Sequence, residues 1–109
     1  MHSTLIVARM NPDSTYDVAR IFSEFDTSEM PRRMGTCRRQ LFAYRGLYFH
    51  LQDFDEDHDG AAAIDSAKTD PRFIRVSDDL RPHIEAYDVA TWRSPADAMA
   101  SRFYHWQAG

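Results

Sequence analysis

Hydrophobic spacing changes period several times along this chain, and each change marks an element. Thr4 to Met10 is mostly apolar and reads as a strand. It runs into Asn11-Pro12, where Asn11 can cap a helix and Pro12 fits its first turn. Val18, Ile21, Phe22 and Phe25 then recur at i, i+3, i+4 and i+7, the stripe of an amphipathic helix ending near Phe25-Asp26. Thr27 to Pro31 reads as a loop. Arg38 to Tyr44 and Leu47 to Leu51 are rich in aromatic and aliphatic residues, and Arg45-Gly46 between them suits a two-residue hairpin turn.

Beyond Leu51 the chain turns acidic, from Asp53 to Asp59. Asp59 can cap a second helix through Ala61-Ala62-Ala63-Ile64, which must stop before Asp70-Pro71. Pro71 opens another helix with Phe73, Val76 and Leu80 on one face, closed by Pro82. Met99 to Trp106 is aromatic and free of Gly and Pro, so it reads as a final strand, with Trp92 to Pro95 leading in. The predicted order is strand, helix, strand, strand, helices, strand. That is an α+β, ferredoxin-like arrangement: a four-stranded antiparallel sheet with helices on one face, in a single domain spanning 1–109. The other face also needs cover. A second copy of the chain supplies it most simply, so a homodimer is expected.

Composition narrows the function. Asp and Glu (17) outnumber Lys and Arg (13) and no basic stripe exists, which argues against nucleic-acid binding. No apolar run is long enough to cross a membrane, and the N-terminal apolar stretch is too short for a secretion signal, so a cytosolic protein is expected. The single cysteine, Cys37, excludes a disulfide framework or a four-cysteine zinc site. His2, His58, His83 and His105 have no metal-ligand spacing. Asp55, Asp57, Asp59 and Gly60 imitate half of a calcium loop, but Ser66 stands where the bidentate Glu belongs, and the segment follows a strand. No glycine-rich phosphate loop is present. The abundant Phe, Tyr and Trp suit a pocket for a flat apolar ligand.

The hairpin carries the candidate chemistry. A two-residue turn sets Tyr44 opposite Leu47 and His50 opposite Leu41, which puts His50 diagonal to Arg39 on one face. Cys37 falls on that face by the same alternation. A permanent cation then sits beside the side chain that titrates near neutrality, and tends to keep it neutral. Such a pair suits a reaction that removes a proton and leaves an oxyanion. Asp26, at a helix C-terminus where a carboxylate is disfavoured, is the third member. The competing structural reading pairs Arg39 with Asp53 or Glu29 at the surface and leaves Asp26 as a polar loop residue.

Several segments, in order, resemble a known family. They are Arg9-Met10-Asn11-Pro12, Asp26-Thr27-Ser28-Glu29-Met30-Pro31, Arg38-Arg39 through Leu41-Phe42, Gly46 to Leu51, Asp70-Pro71-Arg72-Phe73 and Phe103-Tyr104-His105-Trp106. The chain resembles small aromatic polyketide cyclases of the tetracenomycin F2 cyclase type, from type II polyketide pathways. The resemblance implies a dimeric α+β barrel assembled from ferredoxin-like domains, and a cyclisation that uses no cofactor. It implies catalytic roles for Asp26, Arg39 and His50. Phe25, Arg9, Tyr48 and Trp106 are candidates for the substrate pocket. The implied substrate is a partly cyclised poly-β-ketone, free or bound to a carrier protein, that closes a ring by intramolecular aldol condensation and dehydration. The family pattern can carry a histidine before the aspartate, where this chain has Phe25. Two other functions fit the same residues: a cofactor-independent anthrone-type monooxygenase, and a non-catalytic polyketide-binding chaperone.

Overall fold

The computed structural model describes residues 2–93 and 95–109. In chain order the elements are β1 (His2–Met10), a 3-10 turn (Pro12–Ser14), α1 (Thr15–Asp26), α2 (Met30–Met34), β2 (Thr36–Tyr44), β3 (Leu47–Phe54), α3 (Gly60–Ala67), α4 (Pro71–Leu80), β4 (Ile84–Ala86) and a second 3-10 turn (Pro95–Ala98). All strand pairings are antiparallel, in the order β2-β3-β1-β4.

Local chemistry explains most boundaries. Asn11 Oδ1 accepts from Asp13 N at 2.9 Å, and Asp59 Oδ1 accepts from Ala61 N and Ala62 N at 3.0 and 3.2 Å. Both caps satisfy amides that a helix start leaves without partners. The hairpin turns on Arg45 (φ 48°) and Gly46 (φ 80°). Two consecutive positive φ values make a two-residue turn whose twist matches the strands. The resulting register is the expected one, with Tyr44 opposite Leu47 and Leu41 opposite His50.

Three expectations need correction. Thr27 to Pro31 is not all loop, because α2 begins at Met30, and five residues are too few to register as a helical period. Cys37 does not share the alternation of Arg39. A register shift between Thr36 and Arg38 makes Cys37 the extra residue of a bulge. Met99 to Trp106 is not a strand. It bridges to the sheet at Met99 and Ile6, donates from Ala100 N to Leu5 O at 2.7 Å, and then leaves the sheet. The fourth strand is Ile84–Ala86, which takes the edge of β1 along Ala8 to Met10. Aromatic composition signals a surface that wants cover, and in one chain Phe103, Tyr104 and Trp106 find none; they stay 71–98% exposed.

The helices cover the sheet face that carries Ala8, Met10, Tyr48 and Phe54, and the core beneath them is in two parts. One gathers Met30, Met34, Phe54 and Ile64; the other gathers Met10, Val18, Phe22 and Tyr48. Four alternate residues of β3 point into this layer: Tyr48, His50, Gln52 and Phe54. The outer two belong to the two apolar clusters, and the middle two are polar. The gap in the core therefore follows from the residue order of one strand.

Gly60 opens α3 against the better packed end. A methyl group there would lie 2.6 Å from the ring of Phe54 and 2.7 Å from Thr4 Cγ2. Phe54 is wholly buried and has nowhere to go. Replacing a helical glycine by alanine ordinarily gains up to about 1 kcal/mol. Here overpacking wins, and Gly60→Ala is expected to lose about 1–3 kcal/mol in urea denaturation. A variant as stable as the parent would contradict this packing.

Candidate active site

A cavity of about 480 Å³ fills the gap between the two clusters. Arg39, Tyr48, His50 and Gln52 line its sheet side, and Phe22 and Phe25 of α1 line its helix side. Met34, Ile64, Phe73 and Trp92 form further parts of the wall, and Arg81 and Glu85 also line it.

Arg39 reaches in from β2, with its side chain only 7% exposed. Its Nε donates to both carboxylate oxygens of Asp26 at 3.1 Å, and Nη2 donates to Asp26 Oδ1 at 2.9 Å. Nη1 lies 2.8 Å from His50 Nε2. The guanidinium also sits over the rings of Phe22 and Phe25, at 4.8 and 5.6 Å. A buried cation needs such compensation, because burial without partners is costly. Asp26 ends α1, where the carboxylate faces the negative end of the helix dipole, and Arg39 offsets that as well.

The Arg39 contact fixes the state of His50. Arginine can only donate, so Nε2 must accept, and the ring proton resides on Nδ1. Burial, and then the charge of Arg39, push the His50 pKa down to about 3. Phe22 packs edge-on against the imidazole at 5.1 Å, which keeps water away. Tyr48 is also buried, and its pKa is raised by that burial, partly offset by Arg39, so the phenol remains protonated. Arg39 has five N–H donors. Its bonds to Asp26 and His50 leave one hydrogen on each terminal nitrogen. Beside its aromatic walls the site therefore presents the Arg39 cation with spare donors, one neutral imidazole and one neutral phenol, and Arg81 and Glu85 also line the cavity. That set can bind and stabilise an oxyanion that forms on a flat, apolar molecule.

Asp26, Arg39 and His50 are brought together, Asp26 from the rim and the other two from the cavity wall. Phe25 and Tyr48 also line the cavity. Arg9 does not. It lies on the opposite face of the sheet, donates to Tyr87 O at 3.1 Å and stacks on the Tyr87 ring at 4.5 Å. Trp106 does not either, because it belongs to the exposed tail; the tryptophan at the cavity is Trp92. Arg39 pairs with neither Asp53 nor Glu29. Asp53 is taken by Arg38 at 3.0 Å and Ser3 at 2.6 Å. Gln52 was missed by sequence reasoning. The available signal was its place in the alternation, a polar residue two positions beyond His50 on an inward face.

The depressed pKa makes stability depend on pH. The unfolded histidine binds a proton near pH 6.5, whereas the folded one does so only near 3. Between these values the unfolded chain holds more protons, so stability is complete above about pH 6.5 and falls as pH drops. The His50 contribution is at most about 1.4 kcal/mol per pH unit. Thermal melts from pH 7 to 4 are expected to fall more steeply for the parent than for His50→Gln. Parallel curves would remove the basis for a neutral buried imidazole.

Comparison with known proteins identifies the family. The family described as polyketide synthesis cyclase matches residues 2–107. An uncharacterised protein of Streptomyces coelicolor is 48% identical over 108 residues, covering 98% of this chain and 96% of its own. Tetracenomycin F2 cyclase of Streptomyces glaucescens is 34% identical over 107 residues, covering 98% of this chain and 95% of its own. The solved structure of that type-II polyketide cyclase superposes with a TM-score of 0.91 at 33% identity, over the whole of both chains. An antibiotic biosynthesis monooxygenase shares the fold alone, with a TM-score of 0.51 at 16% identity over 76% of this chain and 85% of that one. No described helix is long and apolar enough to cross a membrane. With its four-stranded ferredoxin-like sheet, its aromatic cavity and a family match along nearly its whole length, the chain belongs to the polyketide synthesis cyclases.

Proposed function

We propose that the chain is a cytosolic, cofactor-independent cyclase that closes a ring on a partly cyclised poly-β-ketone by intramolecular aldol condensation and dehydration. The observation that carries this reading is the Arg39 guanidinium, buried at the cavity wall and held between Asp26 and His50. A methylene between two carbonyls is acidic, and the enolate it forms needs a fixed cation more than a strong base.

An oxygen of the enolised substrate binds at Arg39, first at the spare N–H groups and then also at the one that had bonded His50. Its negative charge offsets that of Arg39, and the histidine becomes more basic as Arg39 turns a donor from Nε2 to the substrate. The proton lost from the substrate passes to Nε2. The nucleophilic carbon bonds to the ketone carbon, and the carbonyl π pair moves onto oxygen. That alkoxide takes the proton back from His50. Loss of a second α-hydrogen and of the hydroxyl, together one water, gives the aromatic ring. Asp26 orients Arg39 throughout. Phe25 and Tyr48 form walls that hold one near-attack conformer and so select the carbon that bonds.

Two tests follow. A minimal polyketide synthase is run with and without the protein, and the products are separated. The protein should shift them to one cyclised compound without consuming oxygen, and Arg39→Gln should lose about 10²–10³ in rate. Because His50 is neutral in the free protein across the working range, kcat/KM should show no inflection near pH 6.5. An unchanged product mixture would refute the cyclase reading; oxygen uptake with a model anthrone would replace it by the monooxygenase.

The homodimer is the second element of the proposal. The sheet face away from the helices carries Leu5, Val7, Phe42, Tyr44, Phe49 and Leu51. Phe42 and Tyr44 are more than half exposed, as is the aromatic tail. A second copy covers these together, and a stable interface needs about 1,200–2,000 Å² of buried surface. Light scattering should give twice the chain mass for the parent, and Phe42→Glu should shift it towards the monomer. A parent that stays monomeric at high concentration would rule out this arrangement.

A further inference from the structure

We propose that Gln52 determines specificity: its amide carbonyl oxygen accepts a hydrogen bond from a hydroxyl on a ring of the substrate that is already aromatic. This places the still-reacting ketone against Arg39. The inference rests on the cyclase reading and adds to it the residue that sets the substrate's register.

Gln52 is only 2% exposed, yet it lines the cavity. Its Nε2 donates to Thr36 Oγ1 at 2.7 Å. That bond ties the amide to β2 and uses one of the two N–H donors, with the carbonyl oxygen at the other end of the amide. Among the described residues no hydrogen bond takes up this oxygen. Among the described residues the buried side-chain polar atom without a partner is Thr4 Oγ1, so the Gln52 oxygen is not sealed in the core but opens to the cavity. The polar group is explained if a ligand supplies the donor.

Position gives the ligand's pattern. Gln52 lies directly across from Arg39 in the β2–β3 register and two residues beyond His50. Alternate residues on a strand are about 6.6–6.8 Å apart. A poly-β-ketone carries oxygen on every second carbon, so neighbouring oxygens fall within reach of both side chains at once. The two differ in kind. Arg39 can only donate, so it selects a ketone or oxyanion, whereas the carbonyl oxygen of Gln52 can only accept, so it selects a hydroxyl. In a partly cyclised substrate the ketones belong to the open chain and the hydroxyls to the closed ring. The pair therefore distinguishes the two ends of the molecule.

The test compares 2-naphthol with its methyl ether by titration calorimetry at pH 7. The parent should bind the naphthol about tenfold more tightly than the ether. Gln52→Leu should bring the ratio close to one. Thr36→Val, on a residue that does not line the cavity, frees the amide to rotate and should lower the ratio to less than half of the parent value. In the reconstituted synthase Gln52→Leu should retain cyclisation but divide the product among more than one ring pattern. A change confined to protein stability would not alter a ratio between two ligands. Equal ratios in the parent and both variants overturn the inference. It also fails alone if the parent cyclises and Gln52→Leu gives the same single product; a parent that does not cyclise overturns the cyclase reading instead.

Discussion

A guanidinium inside a 109-residue domain is the constraint around which the structure is arranged. Arginine does not lose its proton, so the surroundings must answer the charge. Asp26 supplies a carboxylate, His50 supplies a lone pair, and Phe22 and Phe25 supply ring faces. These four come from the end of α1 and the middle of β3, while Arg39 comes from β2. The cation thus ties the helix to the hairpin at the point where the apolar core is interrupted. The arrangement also sets the chemistry. A histidine that accepts from arginine at Nε2 cannot hold a second proton at rest, so the resting site awaits an anion.

The interruption of the core has a simple origin. β3 points Tyr48, His50, Gln52 and Phe54 towards the helices, and only the outer two can join an apolar cluster. Four apolar residues at these positions would merge the clusters and fill the space. Two polar residues hold them apart, at some cost in stability, and the resulting cavity is of the size expected for a small-molecule site. Natural chains accept such local conflicts mainly where function needs them.

The legible parts of the sequence were those with strong local chemistry. The stripe from Val18 to Phe25, the Asn11 and Asp59 caps and the Arg45-Gly46 turn each state their own geometry, and the turn fixed the strand register. That register, readable from the sequence, sets His50 beside Arg39. What was not legible depends on partners distant in the chain. β4 is three residues long, too short for any period, and exists because β1 has a free edge there. The aromatic tail resembles a strand because it is built for burial, but nothing within one chain buries it. Cys37 left the Arg39 face through a bulge that no residue announces. Arg9 and Trp106 have suitable chemistry on the wrong side or the wrong segment, and alternation alone could not place the tail.

Phe25 bears on how protons move. It occupies the position before the aspartate where the family pattern can carry a histidine. Here its ring packs against Arg39 and the cavity, so the wall beside the cation cannot titrate. A second imidazole in that place would stand close to the guanidinium and share the proton traffic with His50. With phenylalanine, the groups facing the cavity from the Arg39 side are one imidazole and one phenol, and the phenol is held protonated by burial. On the Arg39 side proton transfer then falls to His50, and it is gated by whether Arg39 bonds the imidazole or the substrate. Arg39 is therefore both the cradle for the developing charge and the control on the base. The two functions are coupled by geometry: the donor that moves to the oxyanion is the one that releases the lone pair.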